Sequence, residues 1–201
     1  MNPDQLKTKI TTSNTFSDEE RKTIAAIFWQ GFGAKMGRFF GSESQAIGFL
    51  TESLGQELLH IARDEDGEIL GMAGCRTTGN SFLTNSPEML RKHYGLFGGF
   101  WRSAALSLGE PKVPEEVYLI DAVSVAKASR GKGAGKVLVE ACLEDAKKRG
   151  LPTATLEVLE ENEVVIRLYK RLGFKTVGKR PMGVIVRFMG IREVVQMRSD
   201  L

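Results

Sequence analysis

The feature that most constrains the fold is a succession of strand, glycine-rich turn, helix and strand in the second half of the chain. The segments EVYLIDAVSV (116–125) and TATLEVL (153–159) are dense in β-branched and apolar residues, as in strands buried on both faces. Residues 134–149 between them place apolar side chains on one helical face and charged side chains on the other. Strands joined in this way run parallel through a right-handed crossover. We therefore expect an α/β fold.

The rest of the chain adds further helices and antiparallel hairpins, so the central sheet is expected to be mixed and flanked by helices. Capping and periodicity predict a helix from the Ser17–Glu20 capping box, a helix at 44–54, short helices near 87–94 and 99–108 within an insert at 79–114, and a helix at 162–172 ended by Gly173. Alternation and turn signals predict a short edge strand at 7–11 and a hairpin within 57–77 around the turn DEDGE. They also predict a closing hairpin at 184–188 and 193–197. No repeat or linker interrupts the 201 residues, so we expect one domain over 1–201.

Composition and charge exclude several classes of protein. No apolar run reaches the roughly 18 residues that a membrane span needs, and the polar start MNPDQLKTKI is unlike a secretory signal. Two cysteines are too few to indicate an oxidising compartment, so a cytoplasmic protein is expected. The net charge of +3 does not indicate a nucleic-acid partner. The basic excess is concentrated at 127–136 and 167–180, which favours a small anionic ligand.

The glycine-rich turn has the residue types of an anion site. Arg130-Gly-Lys-Gly-Ala-Gly135 stands between a predicted strand and the start of a helix, where free N–H groups attract phosphate. A Walker A loop would need four residues between its glycines and a hydroxyl after the lysine, and Lys136 is followed by Val137. A dinucleotide fingerprint would need its third glycine at position 136. Neither common nucleotide motif is present, and a tight turn with solvated basic side chains is the alternative.

Two motifs carry a resemblance to a known family. VSVAKASRGKGAGKVLVEA (123–141) resembles the acetyl-CoA loop of the GCN5-related N-acetyltransferases, and 162–174, with Asn162, Tyr169 and Leu-Gly-Phe, is similar to a second signature of that family. The two motifs occur in the expected order and spacing and cover roughly residues 116–178. One position departs from the pattern: Ala128 stands where the family often has Gln or Arg, which puts one phosphate contact in doubt.

The resemblance implies a fold with two splayed parallel strands and acetyl-CoA as co-substrate, without a metal. In the family the pantetheine arm fills the gap between the strands and pairs with the first strand. Carried over residue by residue, the cofactor-binding positions are Val123 and Val125 through their main chain, Arg130, Gly131, Lys132, Gly133, Ala134 and Gly135 around the pyrophosphate, and Asn162 near the second helix.

The resemblance also implies direct attack of an amine on the acetyl thioester. The departing thiolate, with a free pKa of about 8.5, needs a proton donor, and Tyr169 has a suitable hydroxyl at the matching position. A core tyrosine is the other interpretation, and the two are compatible. Asp121 lies two residues before Val123, so in a regular strand both side chains point to the same face. Asp121 is the predicted general base, directly or through water. Glu116 and Glu157 are its rivals, and each carboxylate could instead be an ordinary ion-pair partner.

The remaining chemistry-bearing side chains fit structural roles. His60 and His93 lack the spacing of a metal site, so no metal is expected. Cys75 and Cys142 are predicted to be small buried side chains. Aromatic residues are concentrated before position 102, so the insert at 79–114 is a candidate lid over an acceptor pocket, although core packing is the commoner role of such residues.

These observations favour an N-acetyltransferase that acts on a primary amine of a small molecule or peptide. A non-catalytic acyl-CoA-binding regulatory module is the alternative, and Tyr169 argues against it. Nucleic-acid binding by the basic run at 167–180 is a third idea, but that run follows a helical period typical of a solvated face. No membrane partner is expected, and the closing hairpin is compatible with a homodimer without requiring one. The acceptor itself is not readable from these residues.

Overall fold

A computed structural model describes residues 9–109, 112–181 and 193–201. The strands are β1 (Thr11–Ser13), β2 (Leu59–Arg63), β3 (Ile69–Thr77), β4 (Asn80–Ser81), β5 (Val117–Val125), β6 (Thr153–Leu159), β7 (Lys175–Pro181) and β8 (Glu193–Asp200). The helices are α1 (Glu20–Phe40), α2 (Glu43–Ser53), α3 (Pro87–Gly109), α4 (Ala134–Lys148) and α5 (Glu163–Arg171), and a short 3-10 turn covers Lys127–Ser129.

The strands form one mixed sheet in the order β1-β2-β3-β5-β6-β8-β7, with β4 paired to β3 outside this path. Among the described strands, every pairing is antiparallel except that of β5 with β6, which is parallel. The predicted crossover through α4 is therefore confirmed, and so is the mixed α/β fold class.

Helices cover both faces of the sheet, as two neighbouring residues of β5 show, because their side chains point to opposite sides. The Ser124 hydroxyl donates to the carbonyl of Ile27 in α1 at 2.6 Å. The next side chain, Val125, lies beside Gly135 in α4, where an added Cβ would come within 3.6 Å of Val125 Cγ2. The buried core extends through both layers, and none of the helices in the described ranges is long and apolar enough to span a membrane.

Most predicted elements are confirmed to within a few residues. The Ser17–Glu20 capping box is present, with both reciprocal hydrogen bonds at 2.8 and 3.3 Å. The insert contains two helical pieces that meet in α3 at Gly95, whose φ of 71° interrupts the helix. The edge strand lies at 11–13 instead of 7–11, and the first part of its predicted range is outside the described residues.

The closing hairpin differs from the prediction in its first arm. That arm is β7 at 175–181, whereas the predicted segment 184–188 lies outside the described residues. The sequence of β7, KTVGKRP, is polar and mostly exposed because it forms the sheet edge. It therefore lacks the apolar alternation by which a strand is found in sequence. The second arm, β8, was predicted at 193–197 and continues to Asp200.

Candidate functional site

A gap between β5 and β6 is the central feature of the candidate site. The two strands are paired only from Val117↔Thr153 to Ile120↔Leu156. Beyond Ile120, β5 continues to Val125 while β6 continues alongside β8, so the facing edges separate. Val123 and Val125 lie on this separated part of β5. An extended ligand can pair there with strand backbone, as a peptide does when it adds to a sheet edge.

The glycine-rich turn lies at the end of the same strand and leads into α4. Gly131 and Gly133 have φ values of 80° and 94°, a left-handed conformation that favours glycine. Across the part of the chain that the structure describes, no acceptor is found for the backbone N–H groups of Gly131, Gly133, Ala134 and Gly135. Together with the positive end of the α4 dipole, these donors form an anion site at Ala134.

Basic side chains surround this turn. Arg130 and Lys132 are exposed, and Arg130 Nε makes a long hydrogen bond of 3.4 Å to the carbonyl of Val125. Lys136 pairs with Glu140 one helical turn further along, at 3.1 Å. The residues around the turn therefore suit a phosphate-bearing ligand that approaches from solvent.

The second helix of the site presents Asn162 and Tyr169. Asn162 precedes α5, is exposed, and makes no side-chain cap to that helix. Tyr169 is 7% exposed, and its ring packs against Phe174 at a centroid distance of 5.9 Å. Burial raises the pKa of Tyr169 to about 12, with a further contribution from Cys142. Among the described residues its hydroxyl has no hydrogen-bond partner, so it is available to a ligand.

Asp121 lies at an irregularity in the pairing of β5 with β3. The register passes from Gly74↔Ala122 to Cys75↔Ile120 and skips Asp121. A bulge of this kind shifts the alternation of side chains between the two faces of the strand.

Regular alternation along β5 predicted that Asp121 faces the same side as Val123 and Val125. The bulge interrupts this alternation, so the prediction does not hold. Sequence alternation cannot reveal a bulge, because the extra residue is defined by the partner strand. The Asp121 carboxylate instead accepts a hydrogen bond from Arg76 Nε at 2.8 Å. The support for Asp121 as a base is therefore its position in the lining of a pocket.

That pocket, of about 210 Å³, lies where β5 and β6 separate. Glu157 faces it from β6, and Arg180 of β7 donates two hydrogen bonds to the Glu157 carboxylate, at 2.9 and 2.6 Å. Gln196 of β8 donates a third at 3.1 Å. The residues that line the pocket include Leu119, Asp121, Thr155, Glu157, Arg180 and Gln196.

The structure thus brings Asp121 and Glu157 to one pocket, whereas Glu116 is exposed and outside its lining. Sequence reasoning missed Arg76, Arg180 and Gln196, which hold the two carboxylates. The only signal for Arg180 was the basic run at 167–180, and its pairing with Glu157 spans 23 positions in sequence.

The aromatic residues of the proposed lid have two different environments. Phe28 and Phe32 of α1 stack on each other with centroids 4.8 Å apart. Phe97 and Phe100 of α3 are 92% and 76% exposed. Core packing thus accounts for the first pair, and the lid stays a prediction for the second.

Comparison with known proteins gives a consistent result. The model of the acetyltransferase (GNAT) family matches residues 36–174. Rat N-acetyltransferase 8F1 is 26% identical over 121 residues, 55% of this chain and 55% of that protein, so the match spans about half of this relative. The peptidyl-lysine N-acetyltransferase YjaB of Escherichia coli is 32% identical over 125 residues, 59% of this chain and 82% of that protein. The solved structure of an N-acetyltransferase from Staphylococcus aureus Mu50 shares the fold, with a TM-score of 0.64, 13% identity and coverage of 94% and 99% of the two chains.

Proposed function

Because the chain belongs to the acetyltransferase (GNAT) family, we propose that it is an N-acetyltransferase that moves the acetyl group of acetyl-CoA directly to a primary amine of a small molecule or peptide. The observation that carries this proposal is the gap between β5 and β6, with the anion-binding turn at one end and the pocket of Asp121 and Glu157 at the other. The E. coli relative named as a peptidyl-lysine acetyltransferase supports an amine acceptor.

The proposed cofactor site uses the features of the gap. The pyrophosphate is bound by the free N–H groups of the glycine-rich turn, with Arg130 and Lys132 supplying positive charge. The pantetheine arm pairs with the backbone of Val123 and Val125, and Asn162 contacts the cofactor from the start of α5.

The chemistry requires two proton transfers. The acceptor ammonium, with a pKa of about 10, first loses a proton, and the carboxylate of Asp121 takes it through a water molecule. The amine nitrogen then attacks the thioester carbonyl carbon, the C–N bond forms and the C–S bond breaks. Tyr169 donates its phenolic proton to the departing thiolate. No protein nucleophile takes part, so both substrates are bound at once.

Glu157 has a separate role in this scheme. Its carboxylate is held by Arg180 and Gln196, so it is oriented before a substrate arrives. Its charge is balanced by Arg180, so it acts at short range, as an oriented acceptor for the N–H donors of an ammonium group. Glu157 is therefore proposed to bind the ammonium group, while Asp121 removes its proton.

Calorimetric titration with acetyl-CoA, beside ATP and NAD as controls, tests the cofactor part of the proposal. We expect selective binding to acetyl-CoA that Arg130→Ala weakens. Absence of binding would overturn the proposed cofactor. Binding without acetylation of any amine would favour the non-catalytic regulatory module. A cytoplasmic location, a homodimer and the absence of metal, membrane and nucleic-acid partners stay predictions from sequence.

A further inference from the structure

The two cysteines of the chain meet inside the core. Cys75 is on β3 and Cys142 is on α4, and their Sγ atoms are 3.4 Å apart. Both side chains are completely buried, and both are thiols. The proposed function makes no use of either. A further approach of about 1.4 Å would bring the two sulfurs to the bonding distance of about 2.05 Å.

A histidine lies beside this thiol pair and is held by a chain of hydrogen bonds. Tyr118 donates its single hydroxyl proton to Asp145 at 2.7 Å, and Arg149 donates to the same carboxylate oxygen at 2.8 Å. His60 Nε2 lies 3.0 Å from the Tyr118 oxygen and must therefore donate to it. In neutral His60 the other ring nitrogen, Nδ1, is left as an acceptor.

The surroundings of the two thiols shift their pKa values in opposite directions. Burial raises the pKa of Cys75, but a hydrogen bond with Cys142 and the nearby His60 outweigh this and lower it to about 7. Burial and the neighbouring Cys75 raise the pKa of Cys142. The environment therefore favours ionisation of Cys75 over ionisation of Cys142, which is the order expected of an attacking and a resolving cysteine.

We propose that Cys75 and Cys142 are a modification site for hydrogen peroxide, at which oxidation forms a disulfide between β3 and α4. Cys75 first loses its thiol proton, and its sulfur attacks one peroxide oxygen, so that an S–O bond forms and the O–O bond breaks. The leaving hydroxide takes up the proton that Cys75 released and becomes water. The Cys142 sulfur then attacks Cys75, the S–S bond forms, and the S–O bond breaks to release a second water. Both sulfurs are oxidised and the peroxide is reduced.

A metal is the competing ligand of these side chains. The donor atoms of His60, Cys75 and Cys142 lie within 4.8 Å of one another. A closed structural zinc site needs four ligands, and in the described ranges no further His, Cys, Asp or Glu joins this group. The geometry therefore points to the disulfide, for which two sulfurs are sufficient. Hydrogen peroxide is close to water in size, so it reaches a buried pair during small opening motions that exclude larger oxidants.

The test uses the full chain, treated with hydrogen peroxide near neutral pH. Because the chain has only two cysteines, we expect both thiols to disappear together, a mass loss of two hydrogen atoms, a monomer on non-reducing electrophoresis, and reversal by dithiothreitol. The bond closes a loop of 67 residues. We therefore expect the thermal unfolding midpoint to rise by about 10 °C.

Two variants report the roles of the individual groups. In Cys142→Ala, Cys75 should stop at the sulfenic acid, which dimedone traps when the oxidised chain is unfolded in its presence. In His60→Gln, oxidation should slow about tenfold because the thiolate fraction at neutral pH falls. The proposal is overturned if both thiols survive in the wild-type chain, if oxygen is added without an S–S bond, or if disulfides form only between chains. It is also overturned if the purified chain holds one metal ion that protects both thiols, and that result would assign a metal site.

Discussion

Asp121 and Glu157 occupy equivalent positions on neighbouring parallel strands, each directly after the last pair that joins them, Ile120↔Leu156. Each carboxylate is paired with an arginine from a flanking strand, Asp121 with Arg76 of β3 and Glu157 with Arg180 of β7. The point where the sheet opens is therefore also the point where two carboxylates are held in place, each balanced by its own arginine. The separation of β5 from β6 thus places the proposed cofactor gap directly beside the carboxylates of the proposed acceptor pocket.

The two carboxylates should have separable effects on kinetics. We expect Asp121→Asn to lower kcat by roughly a hundredfold or more, because a general base is lost. Glu157→Gln should mainly raise the KM for the amine, by about tenfold, because an ionised hydrogen-bond acceptor for the ammonium group is replaced by a neutral amide. Steady-state kinetics with a fixed saturating concentration of acetyl-CoA measures both values.

Glu116→Gln is the matched control for this comparison. Glu116 is exposed and outside the pocket lining, so neither kcat nor KM should change. A loss of kcat in Glu116→Gln, with Asp121→Asn fully active, would transfer the role of base to Glu116.

The conformation of the turn should be necessary for cofactor binding. Gly133→Ala places a side chain at a φ of 94°, which costs about 1–2 kcal/mol of stability, and should weaken acetyl-CoA binding at least tenfold by displacing the N–H groups. Gly150→Ala, at a φ of 71° just past the opposite end of the 15-residue helix α4, carries the same kind of strain away from the turn. It should lose similar stability and bind acetyl-CoA normally. Equal affinity in the two variants would show that the turn does not hold the cofactor.

The hydroxyl of Tyr169 should matter for turnover and not for binding. Tyr169→Phe should lower kcat by about a hundredfold or more and leave the dissociation constant for acetyl-CoA unchanged. Tyr94→Phe is the control, because the Tyr94 hydroxyl is buried without a partner in the described part of the chain. If both variants retain full kcat, Tyr169 is a packing residue only.

The pH dependence of turnover follows from the raised pKa of Tyr169. A proton donor works below its pKa, so a value of about 12 moves the alkaline limit of activity upward. We expect kcat not to decline up to about pH 10, where an ordinary tyrosine would be half ionised. A decline near pH 9 that is absent from Tyr169→Phe would contradict this assignment.

The buried hydrogen bonds of Tyr118 should contribute to stability. Tyr118→Phe removes contacts with His60 and Asp145 and should lower the free energy of unfolding by about 1–3 kcal/mol. Tyr94→Phe removes a hydroxyl that has no partner among the described residues, so its effect should be near zero or stabilising. Chemical denaturation of both variants measures the difference, and equal losses would contradict the hydrogen-bond assignment.

Local patterns were sufficient for the elements that form the cofactor side of the site. The strand at 153–159 was predicted with its observed limits, and the glycine-rich turn was placed correctly before α4. The acceptor side depends on long-range register, which leaves no local trace. The bulge that repositions Asp121 is defined by the pairing of β5 with β3. The contact of Arg180 with Glu157 depends on the strand order β6-β8-β7, in which the Arg180 side chain extends across β8. The contact of Cys75 with Cys142 likewise follows from the packing of α4 on the sheet.

The most direct test of the central claim is to follow the acetyl group itself. The chain is incubated with isotopically labelled acetyl-CoA and a panel of small amines and lysine peptides, and the products are identified by mass spectrometry. We predict labelled acetyl on the nitrogen of an amine, one CoA thiol released per acetyl transferred, and no acetyl on the protein during turnover. Acetyl-CoA that stays intact with every amine, or an acetyl group that passes through the protein, would contradict the account.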